Sequence, residues 1–215
     1  MTFRQFSSRF LLGLGLAASL ISSKPAAAQL SDPGEAVAAS YSTKGVVIRP
    51  HLVGNSWNVQ DEFASVDGES GRGLGFSLGY GFSELFSLYA GWSGSTIFDN
   101  QGPGDYGLYH ADLVGRFTLG HPSSKFRGFL DVGVTAIVSE TLTEGGANVV
   151  TSGGAGSIGA GALYFVSTKV ALEFGILGSF GETTTIDVNG RELDVSELDL
   201  ATTSRRFHVG IAWYP

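Results

Sequence analysis

Residues 71–82 read Gly71-Arg72-Gly73-Leu74-Gly75-Phe76-Ser77-Leu78-Gly79-Tyr80-Gly81-Phe82. Leu74, Phe76, Leu78, Tyr80 and Phe82 share one face of an extended chain, and Gly73, Gly75, Ser77, Gly79 and Gly81 share the other. A period of two belongs to a β-strand, whose successive side chains point to opposite faces. A helix would need apolar residues recurring three and four apart, a pattern this stretch does not favour.

The same alternation recurs in seven further segments, at 46–53, 86–93, 109–119, 129–138, 157–164, 170–176 and 206–214. Each is about as long as a tilted strand needs to cross a bilayer. The connections at 83–85, 120–125 and 167–168 are short, and those around 55–70, 97–105, 140–152 and 181–200 are longer. Short turns at one end and long loops at the other predict a transmembrane β-barrel with periplasmic turns and outer loops. The charged residues in the middle of the strands support this. Arg49, Asp112, Arg116, Asp131, Glu173 and Arg206 all lie on the small or polar face. A charge on a lipid-facing position near the midplane costs about 2–4 kcal/mol, so the large apolar face is the outside. A soluble lipocalin-type barrel would have the opposite polarity, with a greasy interior. Phe82, Phe86, Phe126, Tyr164 and Trp213 near the short turns, and Trp57, Phe98, Tyr106 and Phe180 near the long loops, are placed as two aromatic girdles.

Composition agrees. The chain has 215 residues, 32 of them Gly and none Cys, with 43% hydrophobic and only 15% charged residues. The lack of Cys excludes a disulfide framework and a thiolate metal site. The net charge of −7 argues against a nucleic-acid partner, which would select a basic face. Arg4 and Arg9 precede an apolar run at 10–21, and Ala26-Ala27-Ala28 follows, the order of a secretory signal peptide over 1–28. Its removal would take three bases and no acid, leaving 10 bases against 20 acids. The expected organisation is a signal peptide at 1–28, a short periplasmic segment at 29–44 and the barrel at 45–215, without an appended peptidoglycan-binding domain.

The last segment, Arg206-Phe207-His208-Val209-Gly210-Ile211-Ala212-Trp213-Tyr214-Pro215, resembles the final strand of small bacterial outer-membrane β-barrels. In that pattern a polar residue, a Gly and terminal aromatics recur with period two, and His208, Gly210 and Trp213 occupy those places. Pro215 departs from it, since the family ends on an aromatic. Gly79-Tyr80-Gly81-Phe82 and the segment 162–174 resemble the same group. The resemblance covers the chain from about Gly45 onward. It implies an eight-stranded, antiparallel, up-and-down barrel of the OmpA/OmpX type in the outer membrane. It also implies that the last strand is read by the barrel-insertion machinery.

An eight-stranded lumen is narrow enough for side chains to fill. The inward candidates are Arg49, Arg116, Arg127 and Arg206 against Asp112, Asp131 and Glu173, with His51, His110 and His208. Asp131 is expected diagonal to Arg116 across the 120–125 turn, and Glu173 is expected on the strand next to Arg206 and His208. Buried charges persist only when paired and hydrogen-bonded, so a charged network closing the lumen is expected. The alternative is a narrow gated channel that uses the same pairs as its gate. His51 and His208 come close when the barrel closes, but no ligand spacing supports a metal, and no cofactor is expected.

His121-Pro122-Ser123 resembles the His-x-Ser of outer-membrane lipid A deacylases. Its place in a periplasmic turn, away from the family's outer-leaflet site, argues against catalysis. Gly154-Ala155-Gly156-Ser157-Ile158-Gly159 matches G-x-G-x-x-G, but no helix follows, so the dinucleotide reading fails. The long loops hold 14 of the 20 acids, among them Asp187, Asp194, Glu197 and Asp199. That bias suits a self-repelling soluble surface, divalent cations bridging to anionic lipopolysaccharide, or a basic ligand. The expected function is therefore a structural or surface-interaction role at outer-membrane lipid, without enzymatic activity.

Overall fold

The computed structural model describes residues 40–60, 69–98, 104–143, 145–198 and 200–215. The signal-peptide reading at 1–28, most of the 29–44 segment and Asp199 lie outside the described residues.

Among the described residues nine strands follow in order: β1 (Gly45–Gln60), β2 (Glu69–Gly81), β3 (Phe86–Phe98), β4 (Tyr106–Leu119), β5 (Phe126–Leu142), β6 (Asn148–Phe165), β7 (Val170–Val188), β8 (Arg191–Asp194) and β9 (Ala201–Trp213). All pairings are antiparallel between neighbours. The wall closes because β1 pairs with β9, β9 with β7 and β7 with β6. Eight strands, β1–β7 and β9, thus form a closed barrel, and each of the eight alternating segments lies on one of them. Among the described residues, β8 is an outer-loop strand paired only to β7. Closure leaves no open edge in the wall, which lipid could not solvate.

Several strands run further outward than the hydropathy pattern marks. β1, β5, β6 and β7 reach Gln60, Leu142, Asn148 and Val188. Glu69, Glu140, Glu182 and Asp187, expected in loops, therefore sit on strands. Beyond the hydrocarbon both faces meet water, so pairing continues without the alternation that lipid imposes. The β7–β8 hairpin turns at Asn189 and Gly190, both with positive φ (52° and 85°). That is the geometry of the tight hairpin turn an Asn-Gly pair favours.

The wall has the expected polarity. Leu74, Phe76, Tyr80 and Phe82 are exposed, as are Leu113, Phe117, Leu130, Val132, Ile158, Phe174, Ile176, Phe207 and Trp213. Only a lipid environment suits such a continuous apolar belt. The girdles are partly as expected. Phe82, Phe126, Tyr164 and Trp213 face outward at the turn end, and Phe98 and Phe180 at the loop end. Trp57 and Tyr106 do not. They share the parity of Asn55 and Leu108, so they turn inward and pack edge-on, 5.8 Å apart, against Ile97, Leu108, Ile137 and Ala155.

The interior is layered. The periplasmic end holds an apolar cluster of Tyr41, Val47, Tyr89, Phe129, Leu163, Phe165, Ala171, Ala212 and Tyr214. The outer end holds the cluster around Ile97 and Leu108. Between them lie the buried charges Arg49, Arg116, Asp131, Glu173 and Arg206.

Candidate functional site

The middle of the lumen is built on alternation. Arg49 on β1, Asp112 and Arg116 on β4, Asp131 on β5, Glu173 on β7 and Arg206 on β9 all take the inward parity. Glu173 is the hub and is only 2% exposed. Arg49 Nε donates to its Oε2 at 2.9 Å, and Arg49 Nη2 donates to its Oε1. Arg116 Nη2 donates to Oε1 at 2.9 Å, and His208 Nε2 lies 3.0 Å from the same oxygen. Arg116 also makes a two-point pair with Asp131, at 2.8 and 2.7 Å. These two residues stand directly opposite in the β4–β5 register, not diagonally as expected.

Arg206 does not join Glu173, although the two strands adjoin. Its guanidinium makes a two-point pair with Asp112, at 2.6 and 2.7 Å. With eight wall strands, β9 and β4 are diametrically opposite, so this pair spans the lumen. Thr135 Oγ1 donates to Asp112 at 2.6 Å and is linked through Ser157 to Ser179. His110 crosses the same diameter, its Nε2 3.0 Å from Ser204 Oγ. Three guanidiniums thus face three carboxylates, all buried or nearly so, and the belt is electrically balanced. Each charge keeps at least one two-point or multiple partner, which offsets its desolvation.

Aromatic faces cover the guanidiniums. Arg116 lies 3.4 Å from the Phe129 ring centre and 5.0 Å from that of Tyr89, and Arg49 lies 4.3 Å from Tyr89. Tyr89 and Phe129 share the inward parity, so the alternation contains their signal, but nothing in it says which charges they cover. Beside the belt, a cavity of about 50 Å³ is lined by residues including Arg49, His51, Asp112, Asp131, Arg206 and His208, room for a few waters.

Glycines make the space. A Cβ on Gly75 would fall 2.1 Å from His51 Nε2, and one on Gly210 would fall 2.6 Å from His51 Cβ. His51 is thus seated between glycines of the two flanking strands, with its ring 5.6 Å from that of His208. His51 Nδ1 lies 3.1 Å from the Arg49 carbonyl oxygen. The two histidines come together as expected. Among the described residues, no group of three or more His, Asp or Glu is arranged to hold a metal.

Arg127 belongs elsewhere. It is buried at the periplasmic end and donates to the Tyr41 carbonyl at 3.1 Å, the Glu84 carbonyl at 2.7 Å and the Glu84 carboxylate at 3.1 Å. Glu84, in the β2–β3 turn, is the residue the sequence reading missed. It also accepts from Ser42 Oγ at 2.7 Å and from the Thr43 backbone N–H at 3.0 Å. Burial pushes its carboxyl up, but these donors outweigh that and hold it below its ordinary value. Residues 41–43 are thereby tied across the barrel base, with the Tyr41 N–H donating to the Pro122 carbonyl.

His121 Nδ1 lies 2.7 Å from Ser123 Oγ, a contact inside one exposed turn. Among the described residues, no carboxylate pairs with His121 to orient it as a catalytic base. In the outer loops the acids serve local turns. Asp187 accepts from the Gly190 N–H at 2.6 Å. Asp194 accepts from the Ser196 hydroxyl at 2.6 Å and from its N–H at 3.0 Å, which lowers its carboxyl. Glu197 lies exposed in the 3-10 turn Ser196–Leu198.

In the last strand, the lumen side of His208 and the lipid side of Trp213 match the expected faces.

No protein-family model matches the chain, and no curated protein does. Among solved structures, Neisserial surface protein A is similar at 14% identity and a TM-score of 0.55, over 78% of this chain and 97% of that one. Ail, the attachment invasion locus protein of Yersinia pestis, matches at 11% identity and 0.49, over 80% and 100%. OprG from Pseudomonas aeruginosa matches at 15% and 0.49, over 80% and 96%. The likeness to the Neisserial protein is one of fold. With the apolar belt, it gives the chain the fold of the small outer-membrane β-barrels.

Proposed function

We propose that this outer-membrane barrel acts through its outer surface, as a structural or surface-interaction protein, and that its lumen does not conduct. The observation that carries the reading is the balanced belt of Arg49, Arg116 and Arg206 with Asp112, Asp131 and Glu173. An ion entering it would have to break two-point charge pairs in a low-dielectric space. Aromatic and aliphatic layers on either side support the same reading. The exchangeable surface is then the acidic outer loops, open to divalent cations or a basic partner, and no catalytic role is assigned. The C-terminal strand with His208, Gly210 and Trp213 serves insertion.

The test is a planar-bilayer recording across a salt gradient, with insertion verified by protease protection. A silent, inserted wild type is expected. Reproducible single-channel steps would overturn the reading and make the charge pairs the gate of a narrow channel.

A further inference from the structure

Four of the barrel's arginines face inward and are paired with carboxylates: Arg49, Arg116, Arg127 and Arg206. Two do the opposite. Arg72 on β2 and Arg205 on β9 are exposed and share the parity of the lipid-facing residues Leu74 and Phe207. Among the described residues, neither has a carboxylate at ion-pair distance. The nearest outward acid on the strand beside Arg205 is Glu182, which pairs with Ala201, four residues further out. Arg72 lies over the Phe98 ring, 5.4 Å from its centre.

The two arginines flank one strand. Arg72 is opposite Gly54 and Arg205 is opposite Ser56, both on β1. Gly54 has no side chain, and a Cβ there would meet nothing nearer than 4.0 Å. The floor between the arginines is therefore a shallow notch. Two strand spacings and one two-residue step separate their Cα atoms by about 12 Å. Cα atoms at that separation leave one tetrahedral anion within reach of both side chains, Arg72 by swinging off the Phe98 ring on β3 toward β1.

Height decides which anion. Arg72 stands nine residues from Gly81, and Arg205 eight from Trp213, at the periplasmic ends of their strands. At about 3.3 Å per residue and a tilt of about 40°, that is roughly 20–23 Å up an apolar band of about 25 Å. The guanidiniums therefore reach the outer headgroup boundary. Directly below the notch lie Leu52, Leu74 and Phe207, each more than half exposed, a surface for acyl chains. We propose that Arg72 and Arg205, across the Gly54–Ser56 notch, bind the phosphate of an outer-leaflet lipid whose acyl chains lie over Leu52, Leu74 and Phe207. Guanidinium suits this role because its fork matches phosphate oxygens and it is always charged.

The test titrates the refolded chain in nonionic micelles with fluorescent diphosphorylated lipid A, and with its dephosphorylated form. Wild type is expected to bind the phosphorylated lipid, and R72Q/R205Q to bind it at least ~10-fold more weakly. R191Q, on the outer-loop strand, is expected to bind like wild type. Urea midpoints of the variants near that of wild type establish that both fold. Equal affinity of R72Q/R205Q and wild type would overturn the site. So would equal binding of the dephosphorylated lipid. Competition by micromolar inorganic phosphate would overturn the lipid as the source of the anion.

Discussion

Glu173→Gln removes one charge and almost no volume. The carboxylate takes hydrogen bonds from Arg49 and Arg116 and faces His208, at 2% exposure. Without its charge, Arg116 keeps the Asp131 carboxylate, but Arg49 is left with a neutral amide oxygen and the face of Tyr89. The belt then holds three guanidiniums against two carboxylates. Leaving a buried charge without its partner costs about 3–5 kcal/mol. Divided by a urea slope of about 2 kcal/mol/M, that lowers the midpoint by about 2 M. The assay is urea unfolding of the barrel in lipid vesicles, followed by tryptophan emission. Trp92 and Trp213 are 46% and 45% exposed on the lipid face, so their emission reports loss of the lipid contact. Adding Arg49→Met should recover at least about 1 kcal/mol, because the stranded charge is gone. A shift below about 0.3 M for Glu173→Gln would refute the reasoning, because it would mean that the lumen is solvated enough to leave Arg49 unburdened.

Two further outcomes follow from the geometry. Gly75→Ala forces a methyl onto the His51 ring and should cost about 1–3 kcal/mol, most of it regained in Gly75→Ala/His51→Ala; no regain would mean that the clash lies elsewhere. The Glu84 carboxyl is lowered in the folded state, so its contribution is complete above the ordinary value of 4.5 and is lost as pH falls through the lower folded value. The urea midpoint of wild type should therefore fall more steeply between about pH 5 and pH 3 than that of Glu84→Gln, and parallel slopes would dismiss the Glu84 clamp.

The alternation in the sequence determined the eight wall strands, their two faces and the inward side of every charge in the belt. It could do so because a strand's faces are set residue by residue, and lipid penalises a charge wherever it falls in the apolar band. The parity of Trp57 and Tyr106 was equally legible, and so was the Asn189-Gly190 turn. Strand ends were not, because beyond the membrane both faces meet water and the alternation fades. Partner choice was not legible either. Arg116 meets Asp131 because the β4–β5 register sets them level, and Arg206 meets Asp112 because eight strands put β9 opposite β4. Glu84 reaches Arg127 only once the barrel base has closed around the chain at Tyr41. Periodicity is a property of one segment, whereas contact across a lumen depends on strand number and stagger, which exist only after the sheet has closed on itself.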